Sequence, residues 1–142
     1  MFTIGRLARE TGTKVQTIRY YEQISLMPEP ERSTGNQRLY ERRHIDRLAF
    51  IRHSRELGFP LLAIRELLGL VDSPEQTCET ADRIARTQLR EVELRMVRLA
   101  ALKAELQRMI TECRGGRVTE CRVIEDLANH KNCLYDDHLE PA

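Results

Sequence analysis

The sequence predicts a mainly α-helical protein, with short helices and a small hairpin at the front and one long helix behind them. Residues 80–110 contain neither Gly nor Pro and repeat apolar side chains at helical spacing. Residues 4–23 contain two shorter helical periods separated by a glycine. Aromatic residues make up 5% of the 142 residues and Trp is absent, which suits a helical assembly better than one large core.

Charge is distributed unevenly along the chain. Residues 1–70 carry 12 Lys or Arg against 8 Asp or Glu, whereas the remaining residues carry 11 against 14. A basic front half points to a nucleic-acid partner. No apolar run is long enough to span a membrane and no signal peptide opens the chain, so we expect a cytoplasmic protein.

The front of the chain predicts a helix-turn-helix. Helices are expected over residues 4–10 and 15–23, with a tight turn around Gly12 between them. The second helix would present side chains suited to phosphates and base edges. These are Lys14, Gln16, Thr17, Arg19 and Tyr20. The same pattern also fits a small three-helix core with a solvated face.

A hairpin, or wing, is predicted next. Pro28 and Pro30 exclude a helix, turn residues occupy 33–37, and residues 37–40 form a short strand, which places Arg32 and Arg38 on the wing. Two further helices follow, the first stopped by Gly58 and the second starting near Pro60. Gly69 and residues 72–74 end this module. His44 and His53 are expected to be packing or surface residues.

The long helix carries a narrow apolar stripe with a repeat of 3.5 residues, which is typical of a coiled-coil seam. Its positions are Ala85, Leu89, Val92, Met96, Leu99, Lys103, Leu106 and Ile110. The residues 80–110 would span roughly 45 Å, and so small a chain has little else to cover the whole stripe. The partner is therefore expected to be the same helix of a second subunit; packing on the chain's own N-terminal half is the alternative.

Residues 17–22 read TIRYYE and residues 38–40 read RLY. With the helices that follow, this stretch resembles the DNA-binding half of the MerR family of transcriptional regulators, from residue 2 to about residue 110. The resemblance implies a winged helix-turn-helix domain followed by a long antiparallel coiled-coil dimerisation helix and a C-terminal metal-binding loop. We divide the chain accordingly into residues 1–72, 73–112 and 113–142. Gln37 stands where the family's wing usually has Tyr, so we expect weaker or retuned docking.

Four cysteines lie in the acidic back half, and three of them form a candidate metal site. Cys113 and Cys121 flank a glycine pair that lets the backbone double back. Two thiols do not fill a tetrahedral shell. In an antiparallel dimer, Cys78 of one subunit would meet Cys113 and Cys121 of its partner. His130 and Cys133, and with less support His138, are further candidate ligands; each also fits an exposed tail.

Three thiolates select soft or borderline ions such as Zn, Cd, Pb or Hg. Within the family, Cys78 resembles the cadmium, lead and zinc regulators, whereas the spacing from Cys113 to Cys121 also resembles the copper(I) sensors. The resemblance implies a homodimer on a pseudo-palindromic promoter operator. It would activate metal-resistance or efflux genes by distorting DNA for RNA polymerase when the metal binds.

Two other functions are compatible with parts of the sequence. A redox or thiol-stress sensor would use a disulfide between Cys113 and Cys121 on the same scaffold. A sensor of organic ligands needs a ligand-binding domain, and about 30 residues after the long helix are too few for one. An enzyme is not expected, because the sequence holds no nucleophile–base pair or phosphate loop.

Overall fold

The computed structural model describes residues 1–113 and 115–129 and is mainly helical, with one two-stranded sheet. The elements are α1 (Ile4–Thr11), α2 (Val15–Gln23), β1 (Glu31–Arg32), β2 (Arg38–Leu39), α3 (Arg42–Glu56), α4 (Leu61–Val71), α5 (Glu79–Glu112), a 3-10 turn (Val118–Glu120) and α6 (Arg122–Ala128). The fold class predicted from the sequence is confirmed. The chain divides into two compact units, the first covering Met1–Ile84 and the second starting at Ala85. The divisions after residues 72 and 112 stay predictions.

One apolar core holds the first unit together. Leu7 of α1, Ile18 of α2, Leu48 of α3 and Ile64 of α4 are all fully buried in it. Each side chain of this size contributes about 1.5–3 kcal/mol when it leaves water. The four helices therefore share one interior, and the opposite face of α2 is left to solvent.

The predicted turn between α1 and α2 is confirmed. Gly12 ends α1 in the left-handed region, with φ 63°, and its N–H donates to the carbonyl of Ala8. A Cβ at Gly12 would lie 1.9 Å from Nη1 of Arg52, which itself donates to the carbonyl of Thr11 over 2.5 Å. Glycine is required here both by the backbone conformation and by the approach of this arginine.

Arginines from α3 and α4 bind the carbonyls that follow α2. Arg65 donates to Ile24 over 2.5 Å and to Ser25 over 3.4 Å, and Arg47 donates to Leu26 over 3.1 Å. A cation at a helix C-terminus satisfies the last carbonyls and is attracted by the negative end of the helix dipole. The end of α2 is thus fixed by side chains that lie more than twenty residues away in sequence.

The predicted wing is present. Glu31 pairs with Leu39 and Arg32 with Arg38 in an antiparallel hairpin, and Asn36 has a φ of 62° in the turn. A further bridge connects Phe2 to Tyr40, so the N-terminus is tied to the wing's second strand.

Glycines have different effects in the later helices. Gly58 follows α3 with φ 86°, as expected for a stop signal. Gly69 does not end α4, which continues to Val71; nothing lies within 4 Å of where its Cβ would be. The long helix α5 runs from Glu79 to Glu112, slightly beyond both predicted ends. None of the helices in the described residues is long and apolar enough to cross a membrane.

Candidate nucleic-acid interface and metal centre

The outer face of α2 carries the residues proposed to contact DNA. Lys14 lies directly before the helix; Gln16, Arg19 and Tyr20 are exposed and Thr17 is partly buried. Their side chains lie opposite the core-facing side of the helix and are accessible to a large ligand. The contacts with DNA themselves stay predictions.

A concave surface of about 470 Å³ lies between α2 and the wing. Arg19 of α2 and Arg32 and Arg38 of the wing line it. Arg32 donates to the carbonyl of Asn36 over 3.1 Å, which holds it along the hairpin. Glu22 and Glu29 also line this surface, so two carboxylates lie among the three guanidinium groups. Guanidinium donors match phosphate oxygens, and the excess of positive charge suits a polyanionic backbone.

Glu22 connects the recognition helix to the wing, a role that the sequence did not reveal. Its side chain is 7% exposed; Oε2 accepts a hydrogen bond of 2.6 Å from the Tyr40 hydroxyl, and Oε1 lies 3.4 Å from Nε of Arg38. Burial, and then the hydrogen bond to Glu22, raises the pKa of Tyr40, so its hydroxyl stays protonated and donating. Arg38 therefore lines the concave surface and is held in place by its ion pair with Glu22. The sequence marked Glu22 as the last residue of the TIRYYE motif and as an acidic residue between two basic segments, but neither signal shows which groups it contacts.

Cys113 and Cys121 lie close to each other at the end of α5. Cys113 follows α5 and Cys121 precedes α6, and the Cys113 side chain is near enough to contribute to the lowered pKa of Cys121. Their role as metal ligands stays a prediction. The backbone N–H of Ile124, then that of Val123 and the Cys113 thiol, lower the pKa of Cys121 against the opposing effect of burial. Gly115, at φ 74°, and its neighbour form the turn that makes this approach possible.

Two adjacent sulfurs, one of them stabilised as a thiolate, fit a soft metal ion but leave its shell incomplete. The described residues contain no group of three or more His, Cys, Asp or Glu arranged to hold a metal. Cys78 is exposed and directly precedes α5. The 34 residues of α5 extend about 50 Å between it and Cys113. His130, Cys133 and His138 lie outside the described residues.

The apolar stripe of α5 is exposed. Its exposed large side chains are Leu89, Val92, Met96, Leu99, Leu106 and Ile110. A run of exposed apolar side chains along several helical turns is typical of a surface that another protein covers. His44 is buried and His53 is exposed, which confirms packing and surface positions for them.

Comparisons with known proteins agree with these features. Residues 2–70 match the family described as MerR HTH family regulatory protein, and residues 45–109 match the one described as MerR, DNA binding. The HTH-type transcriptional regulator ZntR of Escherichia coli is 39% identical over 130 residues, covering 89% of this chain and 92% of the relative. The mercuric resistance operon regulatory protein of Bacillus cereus is 36% identical, covering 89% and 96%. A solved transcription regulator of Ralstonia metallidurans in complex with lead(II) matches with a TM-score of 0.77 and 38% identity, covering 89% and 99%.

Proposed function

The chain belongs to the MerR family of helix-turn-helix regulators, and on that premise we propose that it is a homodimeric transcriptional regulator that responds to a soft divalent metal ion. The observation that carries the proposal is the placement of Cys113 at the end of α5 and Cys121 at the start of α6, on either side of a turn that contains Gly115 and Gly116. Regulators that are similar over nine-tenths of the chain include a mercuric resistance regulator and a lead(II) complex. This likeness favours a metal ion over the disulfide-based redox sensor.

The donor set fits Zn, Cd, Pb or Hg, because thiolates are soft ligands and no hard oxygen cage is needed. Cys113 and Cys121 would hold the ion together with Cys78 of the other subunit, if the two α5 helices lie antiparallel. The exposed stripe of α5 is the surface on which such helices would pair. His130 and Cys133 stay candidates for closing the shell.

In the DNA complex, α2 would lie in the major groove. Lys14, Gln16, Thr17, Arg19 and Tyr20 would contact base edges and phosphates there. The wing residues Arg32 and Arg38 would bind flanking phosphates. A two-fold dimer requires a pseudo-palindromic operator, and RNA polymerase at the same promoter would be the partner in the cytoplasm.

Switching requires two dimer geometries with different affinities for the inducing ion, since a ligand that binds both equally shifts nothing. In this chain α5 begins beside Cys78 and ends beside Cys113, so both ends of each dimerisation helix carry proposed ligands. A change in the distance between the ligands of the two subunits would move the long helices. The distortion of promoter DNA and the activation of resistance or efflux genes would follow from that movement.

Metal binding is tested by titrating reduced apo-protein with Cd(II) against a chelator, followed by in vitro transcription. Cys113→Ser should abolish the transcriptional response, with operator affinity within about twofold of wild type. Loss of dimerisation instead would make Cys113 a structural residue. Reduced wild-type protein that binds no stoichiometric metal would favour the disulfide-based sensor.

Two further variants test the assigned contacts. Cys78→Ser should weaken the response to divalent ions, and a full response would remove Cys78 from the site. Arg19→Ala should cost about 1–3 kcal/mol of operator binding if Arg19 reads a base edge. An unchanged affinity would take it off the list of contacts.

A further inference from the structure

Two ion pairs connect the end of α5 to α6, and we call them the ion ladder. Nε of Arg122 lies 2.8 Å from Oε2 of Glu112, and Nη1 of Arg108 lies 3.1 Å from Oδ2 of Asp126. Four residues separate the two pairs along each helix, which is about one turn. The two rungs therefore follow one face of each helix, and the helices run in opposite directions.

The pair between Glu112 and Arg122, the first rung of the ladder, lies next to the two cysteines. Glu112 immediately precedes Cys113, and Arg122 immediately follows Cys121. An ion pair between these neighbours limits how far the two sulfurs can separate. The contact between the two thiols thus lies at the closed end of a hairpin of two helices.

The second rung is the buried one. The Asp126 side chain is 0% exposed and that of Arg108 15% exposed. Neither carboxylate oxygen has a hydrogen-bond partner among the described residues, and the guanidinium groups of Arg108 and Arg122 lie 3.1 Å and 3.7 Å away. A buried carboxylate is costly unless opposite charge is close. Asp126 is therefore held by these two arginines, and α6 packs where they can reach it.

The signs of the charges also fix the register. In the observed alignment the four charges form one cluster, because Nη1 of Arg108 also lies 3.0 Å from Oε2 of Glu112 and Nε of Arg122 lies 3.7 Å from Oδ1 of Asp126. A shift of one helical turn would break this cluster and leave like charges opposite each other across the two helices, either Glu112 and Asp126 or Arg108 and Arg122. Like charges at such short range repel, and most strongly where water is excluded. Only the observed alignment pairs both rungs, and it is also the alignment that places Cys121 beside Cys113.

We propose that the ion ladder positions Cys121 against Cys113 and thereby sets the metal affinity of the site, with Asp126 as the positioning residue. This inference rests on the proposed function, because it concerns the same metal site. Groups that orient metal ligands without touching the ion typically change metal affinity by about 10–100-fold when they are removed. Because the ion ladder already holds the residues between Cys113 and Cys121, less conformational freedom would be lost when the ion binds.

Asp126→Asn tests this in the full-length dimer, because Asn has nearly the same shape and lacks the charge. Cd(II) is the probe, and its thiolate charge-transfer absorption reports binding in competition with a chelator. We expect the Cd(II) affinity to fall by about tenfold or more. The matched control is Asp46→Asn on α3, where the carboxylate pairs with Arg42 over 3.5 Å at the surface. Its Cd(II) affinity should stay within about twofold of wild type.

A double-mutant cycle distinguishes a specific effect of the Arg108–Asp126 pair on Cd(II) affinity from a general loss of structure. Arg108→Gln should also weaken Cd(II) binding, and the double variant with Asp126→Asn should lose less than the product of the two single losses. Operator affinity of the apo-proteins should stay within about twofold of wild type, which a misfolded dimer would not allow. If Asp126→Asn does not fold, Arg122→Gln carries the test. Its side chain is 38% exposed, and we expect about a two- to fivefold loss.

The outcomes are distinct. Wild-type protein that fails to bind Cd(II) through Cys113 and Cys121 overturns the proposed function and the ladder's role with it. Wild-type protein that binds Cd(II), with Asp126→Asn and Arg122→Gln of equal affinity, overturns the ladder's role alone. Additive losses in the cycle would also contradict a direct coupling between Arg108 and Asp126.

Discussion

The first unit and the described part of the second unit are stabilised by different forces. Ten apolar side chains form one buried cluster in the first unit, and arginines bind the carbonyls at its helix ends. In residues 85–113 and 115–129, Met109 is the buried apolar side chain, while the stripe of α5 is exposed. The ion ladder connects α5 to α6 there.

This difference has a physical consequence. Burial of apolar surface is strong and non-directional, so the first unit has the means to fold without a partner. Ion pairs contribute little net stability but specify geometry, and an exposed apolar stripe gains its stability only when another chain covers it. We therefore expect the second unit to gain much of its stability from association with another chain, and the proposed metal ion would add to it.

The largest effect is expected in the core of the first unit. Leu48 is 0% exposed on α3, and Leu48→Ala should lower the free energy of unfolding by about 2–5 kcal/mol, because a cavity replaces the lost contacts. Urea denaturation followed by circular dichroism measures it. Leu62→Ala is the control, since Leu62 is exposed, and its effect should be within about 0.5 kcal/mol. Equal effects would mean that no separate core stabilises this unit.

The dimer seam should respond through association instead of folding. Leu99→Ala removes an exposed side chain of the stripe and should weaken the dimer by about 2–4 kcal/mol, since a symmetric seam carries the change twice. Sedimentation equilibrium measures the dissociation constant. Leu94→Ala is the matched control, because Leu94 is also exposed on α5 but lies off the stripe. A dimer weakened equally by both variants would contradict the predicted seam.

Local signals were enough to predict the elements. Gly12 and Gly58 mark the ends of helices, the repeat of α5 follows from its apolar spacing, and the glycine pair before Cys121 predicted the approach to Cys113. Each of these depends on residues that are close in sequence. The role predicted for Cys78 depends on a second subunit, so it stays a prediction.

Contacts between distant residues were not predictable from the sequence. Arg52 and Arg65 look like solvated helix residues, yet they bind carbonyls 41 residues earlier in the chain. Arg108 and Asp126 likewise read as ordinary surface charges until α6 packs on α5. Charge patterns on a helix do not reveal which face is buried, because that depends on the packed partner.

A smaller effect on stability is expected at the turn of the helix-turn-helix. Gly12→Ala should cost about 1–3 kcal/mol, from the left-handed backbone and the displaced Arg52 guanidinium. Gly69→Ala is the control with the opposite sign. It lies inside α4 with open space around it and should gain about 0.5–1 kcal/mol. Thermal unfolding measures both, and a neutral Gly12→Ala would show that Arg52 moves aside at no cost.

The smallest expected effect is a pH dependence that belongs to the first unit. His44 is buried; its Nδ1 accepts the backbone N–H of Glu41 over 2.8 Å, and Nε2 has no partner among the described residues. Burial, and then the charge of Arg43, lowers the pKa of His44 against the opposing effect of Glu41 and Glu22. The unfolded chain, with a His pKa of about 6.5, therefore binds a proton that the folded chain resists.

The contribution of His44 is fully present above about pH 6.5 and is lost as the pH falls towards its lower folded-state pKa. The free energy of unfolding should decline there by at most about 1.4 kcal/mol per pH unit. His44→Gln keeps an acceptor for the Glu41 N–H but cannot titrate, so its slope between about pH 5 and 6.5 should be shallower. His53→Gln, at an exposed position on the same helix, should keep the wild-type slope. If all three proteins lose stability equally with acid, His44 is not the group responsible for the loss.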